Sequence, residues 1–425
     1  MPLFKLPGIH VPHHKNTDKM KAVRMPIPKE VILQMNMHIG AFAKPIVNVG
    51  DHVLVGQKIA QAGGYISAPV HSSVSGVVKK IENVLESDGT YVPAIFIETD
   101  GLQEVSKDVK TVNVNSYESF VEAIKNSGIV GLGGAGFPTY VKFSIKDLSM
   151  VDTIIINGAE CEPYITADHI LAKQKCEEIL EAIDAILEIN KIKEAIIAIK
   201  KENVELKQIF DNYIGTYLKI KIKLVPNVYP MGWERKLIKE VTHKEYDKYP
   251  IEEGIVVNNI STIYAIYETL KYNKPLIERI ITFSGENLQD KRNVLVKIGT
   301  PVSEVLEQLK VKENSIIVAG GPMMGKKVED LVVSANMNCI LALENKIDIP
   351  TICLKCGKCV EVCPSKLSPV LIMRTKIKKD KDINKLKKLH PEKCIECGLC
   401  SYICPANLLV RERVKDAKKI LRGDK

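Results

Sequence analysis

The sequence is poor in aromatic residues and has no long apolar run. Aromatic side chains make up 5% of the 425 residues. None lies among the lysines of residues 364–393, so a nucleic-acid surface, which stacks bases on aromatic rings, is not expected. No stretch approaches the ~18 apolar residues of a membrane-spanning helix, and the first residues lack an apolar signal core. We therefore expect a globular chain of about three domains in a reducing compartment.

Cysteine is concentrated near the C-terminus. Eight of the eleven cysteines lie in two runs, C-L-K-C-G-K-C-V-E-V-C-P and C-I-E-C-G-L-C-S-Y-I-C-P. This C-x₂-C-x₂-C-x₃-C-P spacing holds pairs of [4Fe–4S] clusters, and the fourth cysteine of each run binds the other cluster. The predicted ligands are Cys353, Cys356, Cys359 and Cys404 for cluster 1, and Cys363, Cys394, Cys397 and Cys400 for cluster 2.

Zinc and disulfides are the alternatives for these cysteines. Zinc would use two C-x₂-C pairs rather than two triplets that each precede a cysteine and a proline. Disulfides are not expected without a secretory signal. Cys176 and Cys339 lie in apolar helix-like and strand-like patterns, which predicts that both are core residues. The two runs therefore predict a module that passes single electrons.

The first hundred residues contain an irregular segment, 1–28, followed by short strands with regular turns over 29–110. The strand pattern resembles the barrel-sandwich fold of biotinyl and lipoyl domains. Those domains carry a cofactor on a lysine at a hairpin tip. The corresponding turn here, Ala-Pro-Val-His at 68–71, has no lysine. We therefore expect a structural or docking role.

The rest of the chain divides into three further regions. Residues 111–250 alternate helices, such as 117–125 and 167–189, with apolar strands at 152–157 and 195–200, which predicts an α/β sheet with parallel strands. Residues 251–348 predict a small mixed sheet with a helix over 302–309, similar to β-grasp (SLBB-like) ligand-binding domains. Residues 349–425 hold the ferredoxin-like two-cluster module and a basic tail. The predicted fold is an α/β multidomain protein with these parts in this order.

A glycine-rich stretch, G-L-G-G-A-G-F-P-T at 131–139, lies in the α/β region. It matches G-x-G-x-x-G, but a helix precedes it and Phe137-Pro138 follows it, so the dinucleotide-binding context fails. Glycines still let backbone approach a flat ring or a pyrophosphate. Glu160 and Glu162 follow the strand at 152–157, where ligands of open α/β sheets bind. They could accept ribose hydroxyls and repel a 2′-phosphate, which favours NAD over NADP; the alternative is a solvated acidic turn.

Four motifs together resemble the NADH/FMN-binding subunit of respiratory complex I. They are G-x-G-G-A-G-F-P-T-x-x-K, N-x-x-E-x-E-P, M-G-W-E-R-K-L-I at 231–238 and V-N-N-I-S-T at 257–262. The chain departs from that family at Leu132, Tyr140, Ala159, Cys161 and Ser261. By this resemblance, the residues that bind FMN and NADH would be Gly131, Gly133, Gly134, Gly136, Phe137, Thr139, Lys142, Asn157, Glu160, Glu162, Glu234, Asn258, Asn259 and Thr262.

The order of the regions, with F-K-L-P-G-I-H-V-P-x-x-K at 4–15 and N-G-A-E-C-E-P-Y at 157–164, resembles the RnfC family over essentially the whole chain. These are subunits of ion-translocating ferredoxin:NAD⁺ oxidoreductases. The resemblance implies NAD(H) as substrate, FMN and two [4Fe–4S] clusters as cofactors, and no acid/base residue for hydride transfer. It also implies integral membrane and iron–sulfur partner subunits at the cytoplasmic face of the membrane. Two alternatives stay open: a soluble flavin-dependent reductase of another carrier such as cobalamin, and an electron-wiring protein without flavin.

Basic residues are concentrated in the segment between the two cysteine runs. Residues 364–393 contain ten Lys or Arg and three Asp or Glu. This asymmetry predicts a docking site for an acidic ferredoxin-like partner, through Lys378, Lys379, Lys387 and Lys388, or contact with an anionic membrane. A solvated helix face is the alternative.

Overall fold

The structure is a computed structural model that describes residues 8–86, 89–110, 113–145, 147–329, 331–345, 349–375 and 380–423. The described residues form four β-sheets and, at the C-terminal end, a helical module around the cysteine runs. Lys378 and Lys379, two of the predicted docking lysines, lie outside the described residues.

The N-terminal segment crosses several domains before the first sheet begins. Ile9 pairs with Tyr229 in an isolated bridge, and strand β1 (Val23–Arg24) pairs in parallel with residues Val294 and Leu295. The prediction of irregular chain over 1–28 was wrong for this strand. Its pairing partner lies far away in sequence, so no local pattern could indicate it.

The next region is a barrel-sandwich of two antiparallel sheets, in the orders β2-β8-β7-β4 and β3-β5-β6. Its hairpin at 68–71 is buried rather than exposed at a tip. A Cβ on Gly128 would lie 2.5 Å from the carbonyl oxygen of Pro69, so this hairpin packs closely on the following domain. The buried position excludes a swinging cofactor arm here and agrees with the predicted structural role. The strands are β2 (Glu30–Gln34), β3 (Lys44–Pro45), β4 (His52–Val53), β5 (Lys58–Gln61), β6 (Val70–His71), β7 (Gly76–Leu85) and β8 (Tyr91–Thr99).

The α/β domain is built on a four-stranded, fully parallel sheet in the order β11-β10-β9-β12. Its central strand is apolar on both faces, as helices on both faces require. Ile154 and Ile156 pack in the core shared with two helices, α4 and α7, and Ile155 packs in the core shared with α6. The elements are α1 (Tyr117–Asn126), α2 (Thr139–Phe143), β9 (Thr153–Gly158), α3 (Ala167–Gln174), α4 (Cys176–Ile189), β10 (Glu194–Lys200), α5 (Val204–Tyr213), β11 (Ile220–Val225), α6 (Glu234–Thr242), β12 (Ile255–Asn259) and α7 (Ile260–Tyr272).

Two features of this domain differ from the predictions. The helix predicted over 167–189 is two helices, which break at Lys175 (φ −131°, ψ 34°). No glycine or proline marks the break, but α3 packs against a strand of the following domain and α4 against β10. In addition, β12 pairs with β9, although the sequence placed residues from 251 onwards in the next domain.

A six-stranded mixed sheet follows, in the order β1-β14-β13-β17-β15-β16. Strand β1 from the N-terminal segment completes one edge of it. Helix α8 covers one face with Val302, Val305 and Leu306, which pack on Ile281, Phe283 and Val294. Cys339 is fully buried in this sheet and Cys176 is buried in α4, as predicted. The elements are β13 (Glu278–Ser284), β14 (Arg292–Lys297), α8 (Val302–Gln308), β15 (Ile316–Ala319), β16 (Lys326–Lys327) and β17 (Cys339–Leu343).

The cysteine module consists of short helices and one longer C-terminal helix, with a small core of its own. Leu367, Ile372, Leu386, Val410 and Val414 form the centre of this core, and several cysteines pack against it. The helices are α9 (Lys358–Glu361), α10 (Pro369–Arg374), α11 (Asp380–Lys387), α12 (Leu399–Tyr402) and α13 (Val410–Arg422). Short 3₁₀ turns elsewhere are Leu148–Met150, Ile214–Thr216, Pro250–Glu253 and Pro391–Lys393.

Candidate functional site

The glycine-rich stretch forms a closed loop between α1 and α2. The Gly131 N–H donates to the Phe137 carbonyl at 2.8 Å, and the Gly136 N–H donates to the Gly131 carbonyl at 3.0 Å. Gly134 and Gly136 have positive φ angles of 106° and 63°, which favour glycine. Gly133 and Gly134 are exposed at the tip of the loop. The loop therefore presents backbone without side chains to an incoming group.

The loop is fixed to the carboxyl ends of the parallel strands. The Leu132 N–H donates to Thr262 Oγ1 at 3.0 Å, at the start of α7. Asn259 caps this helix, because its Oδ1 accepts from the N–H groups of Ser261 and Thr262. A Cβ on Gly133 would lie 3.2 Å from Asn259 Nδ2. The glycine loop, the strand ends and a helix N-terminus thus meet, as ligand sites of open α/β sheets require.

Asn157 and Asn258 end two adjacent strands of the sheet. Residue 157 of β9 is paired with residue 259 of β12. Asn157 Nδ2 donates to the Gly232 carbonyl at 2.9 Å. Among the described residues, buried Asn258 Nδ2 and Thr139 Oγ1 have no hydrogen-bond partner. A polar ligand at this edge could satisfy both atoms, since buried polar groups are normally hydrogen-bonded.

Lys142 and Glu234 lie together on one side of the site. Lys142 Nζ donates to the Val257 carbonyl at 2.7 Å and is 3.7 Å from Glu234 Oε2. Burial lowers the pKa of Lys142, because desolvation disfavours the ammonium form. Glu234 opens α6 and also accepts from Tyr246 Oη at 3.1 Å. This cation, close to the strand ends and partly compensated, fits a phosphate-bearing group.

Glu160 and Glu162 are both buried, so the solvated acidic turn is the wrong alternative for this segment. Glu160 Oε1 accepts from the Asp168 N–H at 3.0 Å, and its other oxygen is 3.5 Å from Lys15 Nζ. Glu162 Oε2 accepts from the Met323 N–H at 3.1 Å, in a loop of the mixed sheet. Burial raises the pKa of each glutamate to about 7. Glu160 therefore faces α3, and Glu162 faces a different domain.

Two further residues at the site were missed from the sequence. Asp168 accepts from Asn259 Nδ2 at 2.6 Å and from Ser261 Oγ. Arg279 is fully enclosed and donates to the carbonyl of Leu132 at 3.1 Å, from a strand of the mixed sheet. Burial lowers the pKa of Arg279 to about 10. Asp168 could have been found from its position in the first turn of a helix after the N-x-x-E-x-E-P motif; no local signal marks Arg279.

The eight cysteines of the two runs surround two small cavities. One cavity is lined by Cys353, Cys356, Cys359 and Cys404, and the other by Cys363, Cys394, Cys397 and Cys400. Each cavity therefore combines three cysteines of one run with the fourth of the other, which is the crossed arrangement predicted from the spacing. Backbone N–H groups of Leu367 and Glu396 donate to the sulfurs of Cys363 and Cys394 at 3.4 and 3.3 Å. These thiols fit a pair of iron–sulfur cubes.

The second cysteine run packs against both preceding domains. Tyr229 Oη donates to the Cys397 carbonyl at 2.7 Å, from a segment whose neighbours belong to the α/β domain. The Met323 carbonyl accepts from Arg411 of the cysteine module at 2.6 Å, while the Met323 N–H binds Glu162. A loop around Met323 thus connects the strand-end site to the cysteine module. None of the helices in the described ranges is both long enough and apolar enough to cross a membrane.

Comparison with known proteins agrees with this arrangement. Residues 4–102 match the family described as RnfC barrel sandwich hybrid domain, residues 124–268 the Nuo51 FMN-binding domain, and residues 345–405 the 4Fe-4S dicluster domain. The fold and the site therefore define a flavin- and iron–sulfur-binding electron-transfer subunit.

Full-length relatives narrow the class to one family. The chain is 34% identical to the RnfC-type subunit of the Na⁺-translocating ferredoxin:NAD⁺ oxidoreductase complex of Acetobacterium woodii, over 86% of this chain and 85% of that protein. It is 36% identical to the corresponding subunit of the ion-translocating oxidoreductase complex of Rhodobacter capsulatus, over 85% of this chain and 73% of that protein. The chain belongs to the RnfC family.

A solved structure shares part of the fold. The air-oxidized NAD⁺-reducing [NiFe]-hydrogenase matches with a TM-score of 0.50 and 15% identity, over 71% of this chain and 63% of the matched chain. At this identity the match shows the fold alone. The order of barrel-sandwich, FMN-binding and two-cluster regions is the order predicted from the sequence.

Proposed function

We propose that this subunit exchanges hydride between NAD(H) and FMN and relays single electrons through its two clusters to or from partner subunits. Bound FMN would supply the step from a two-electron to a one-electron carrier, because [4Fe–4S] centres take one electron at a time. The observation that carries the proposal is the junction at Met323, which connects Glu162 beside the strand-end site to the module of the eight cysteines.

The chain's own residues would position the flavin rather than carry out acid/base chemistry. We assign the backbone of Gly131, Gly133, Gly134 and Gly136, with Phe137, to the faces of the ring system and the nucleotide. Lys142 would neutralise the phosphate, and the unpartnered amide of Asn258 and hydroxyl of Thr139 would donate to polar edges of the ligand. Asn157, Glu234, Asn259 and Thr262 would hold the loop, the lysine and the helix start in place.

Glu160 and Glu162 would set the choice of nicotinamide cofactor. Two carboxylates near a ribose can accept hydroxyl hydrogen bonds, and negative charge there would repel a 2′-phosphate. We therefore expect NADH rather than NADPH to be the substrate.

The partners follow from the family. The A. woodii relative is named as part of a ferredoxin:NAD⁺ oxidoreductase complex. We propose that this chain likewise assembles with integral membrane subunits and an iron–sulfur subunit, at the cytoplasmic face of the membrane.

Anaerobic purification followed by flavin extraction tests the proposal. We expect extractable FMN, about eight iron atoms per chain for two four-iron clusters, and bleaching of cluster absorbance by NADH but not by NADPH. Lys142→Met should lower FMN retention, whereas Lys193→Met, at the opposite edge of the same sheet, should leave it unchanged. Clusters without extractable FMN and without NADH bleaching would contradict the proposal.

A pull-down from membranes distinguishes the RnfC role from a soluble reductase. We expect membrane subunits to co-purify with the tagged chain. Recovery of the chain in full activity from the soluble fraction, with no membrane protein attached, would favour a reductase of a carrier such as cobalamin.

A further inference from the structure

The two clusters occupy unequal positions in the molecule. The second cysteine run is covered, because Cys397 and Cys400 are each 8% exposed and Tyr229 donates to the Cys397 carbonyl. Gly398 in the same run packs so closely on Met323 that a Cβ there would lie 2.2 Å from its carbonyl oxygen. The cluster 2 site therefore faces the interior, next to the domain that carries the flavin-binding residues.

The cluster 1 site lies at an exposed end of the module. Cys356 is exposed, and its neighbours Ile352 and Leu354 are 87% and 66% exposed. Leu371 and Leu409 are 52% and 67% exposed, and each is adjacent in sequence to a residue that lines the cluster 1 cavity, Val370 or Leu408. We call these four side chains, Ile352, Leu354, Leu371 and Leu409, the apolar collar. Exposed apolar side chains grouped in this way indicate an interaction site.

Positive charge accompanies the collar. Residues 349–375 contain four basic side chains and a single acidic one, Glu361. Lys355 and Lys358 are both exposed and lie inside the first cysteine run, between its second and third ligands or directly beside them. An apolar centre with a cationic rim is complementary to a partner that has an acidic rim, and such charges steer association.

We propose that the apolar collar is the docking site of an acidic, one-electron iron–sulfur protein, and that cluster 1 is the centre that exchanges electrons with it. This inference rests on the proposed function and adds the surface and the order of the clusters. In the exchange, one reduced centre loses one electron and the other gains one, and no bond forms or breaks. An iron–sulfur partner fits because cluster 1 accepts electrons singly and because weak electron-transfer encounters use small interfaces, below about 1,200 Å².

A redox-inert probe tests the surface without relying on turnover. The probe is a gallium-substituted acidic bacterial ferredoxin, titrated calorimetrically into the purified chain after EPR has shown that both clusters are present. We expect Ile352→Glu with Leu354→Glu to weaken binding by at least about tenfold, because charge enters the apolar centre. Lys355→Glu with Lys358→Glu should weaken it by about tenfold and reduce its salt dependence.

The control is Leu218→Glu, which changes a leucine that is 91% exposed on the α/β domain and should leave affinity within about twofold of wild type. Unchanged binding in both collar variants overturns the proposal. So does loss of binding only in Lys387→Glu with Lys388→Glu, which would place docking on the segment between the runs. Binding of the chain to anionic phospholipid vesicles, lost in the collar variants while ferredoxin does not bind wild type, would assign the surface to the membrane and also overturn it.

NADH bleaching of the same samples separates this inference from the proposed function. Intact bleaching in a chain that does not bind the probe leaves the proposed function standing and removes only the docking site. A wild-type chain that NADH does not bleach contradicts the proposed function itself.

Discussion

Glu160 and Glu162 are separated by one residue, yet their carboxylates contact different domains. Glu160 binds the N–H group at the start of α3, and Glu162 binds the Met323 loop. The sequence could predict that both lie beyond a strand end, because that depends on local pattern. It could not predict their partners, since Met323 is far away in sequence.

The pH dependence of stability should report the burial of Glu162. Burial raises its pKa from 4.5 to about 7, so the folded chain binds this proton more tightly than the unfolded chain. Stability from this group is therefore present below pH about 4.5 and is lost as pH rises toward 7, at about 1.4 kcal/mol per pKa unit. Glu162→Gln is neutral throughout and should remove this loss.

Anaerobic thermal unfolding at about pH 5 and about pH 8 measures the effect. The melting temperature of Glu162→Gln relative to wild type should be higher at the alkaline value than at the acidic one. Glu313→Gln, at an exposed position, is the control and should shift neither. An equal difference at both pH values would contradict the expectation.

Two glycines at equivalent positions of the cysteine runs differ in their surroundings. Gly357 and Gly398 have φ angles of 80° and 79°, so alanine would be strained at both by a similar amount, about 1–2 kcal/mol. A Cβ on Gly357 meets nothing within 4 Å, whereas one on Gly398 meets the Met323 carbonyl at 2.2 Å. The pair separates backbone strain from contact between domains.

We expect Gly398→Ala to be destabilised more than Gly357→Ala and to push the second run away from the Met323 loop. Because Met323 also binds Glu162, the NADH-dependent bleaching rate should fall in Gly398→Ala and stay near wild type in Gly357→Ala. Stopped-flow absorbance with iron content as a check measures this. Equal effects of the two substitutions would mean that the Met323 contact does not matter for electron transfer.

Elements were predictable from sequence where their cause is local. The cysteine runs and the glycine loop depend on spacing and backbone freedom within a few residues, and both appear as predicted. The break at Lys175 and the strand Val23–Arg24 depend on distant partners, so hydrophobic pattern alone gave one long helix and an irregular segment. Arg279 belongs to the same class, because its carbonyl partner Leu132 lies in another domain.

At the scale of the molecule, the N-terminal segment connects domains that are not adjacent in sequence. The Thr17 carbonyl accepts from Asn293 Nδ2 at 3.1 Å. Asn293 Oδ1 in turn accepts from Thr166 of the α/β domain at 3.0 Å and Thr282 of the mixed sheet at 2.8 Å. A single buried amide thus joins three parts of the chain.

Asn293→Ala should therefore loosen the segment over 8–24. Unsatisfied buried polar groups cost about 1–3 kcal/mol each, so we expect a loss of roughly 2–4 kcal/mol in stability. Limited trypsin digestion should cleave faster after Lys15, Lys19 or Lys21. Asn190→Ala is the matched control, because that buried amide donates within its own helix, to Ile186. Unchanged cleavage in Asn293→Ala would show that other contacts hold the segment.

The unequal cover of the two cysteine runs has a consequence for life in air. Dioxygen can approach the exposed Cys356 directly, whereas Cys397 and Cys400 are sheltered beneath Tyr229 and Met323. Oxidative damage should therefore begin at the outer cube. The crossed ligand Cys404 would then be released from a run that still carries its own cube, so a briefly aerated chain should keep its inner centre and await repair of the outer one.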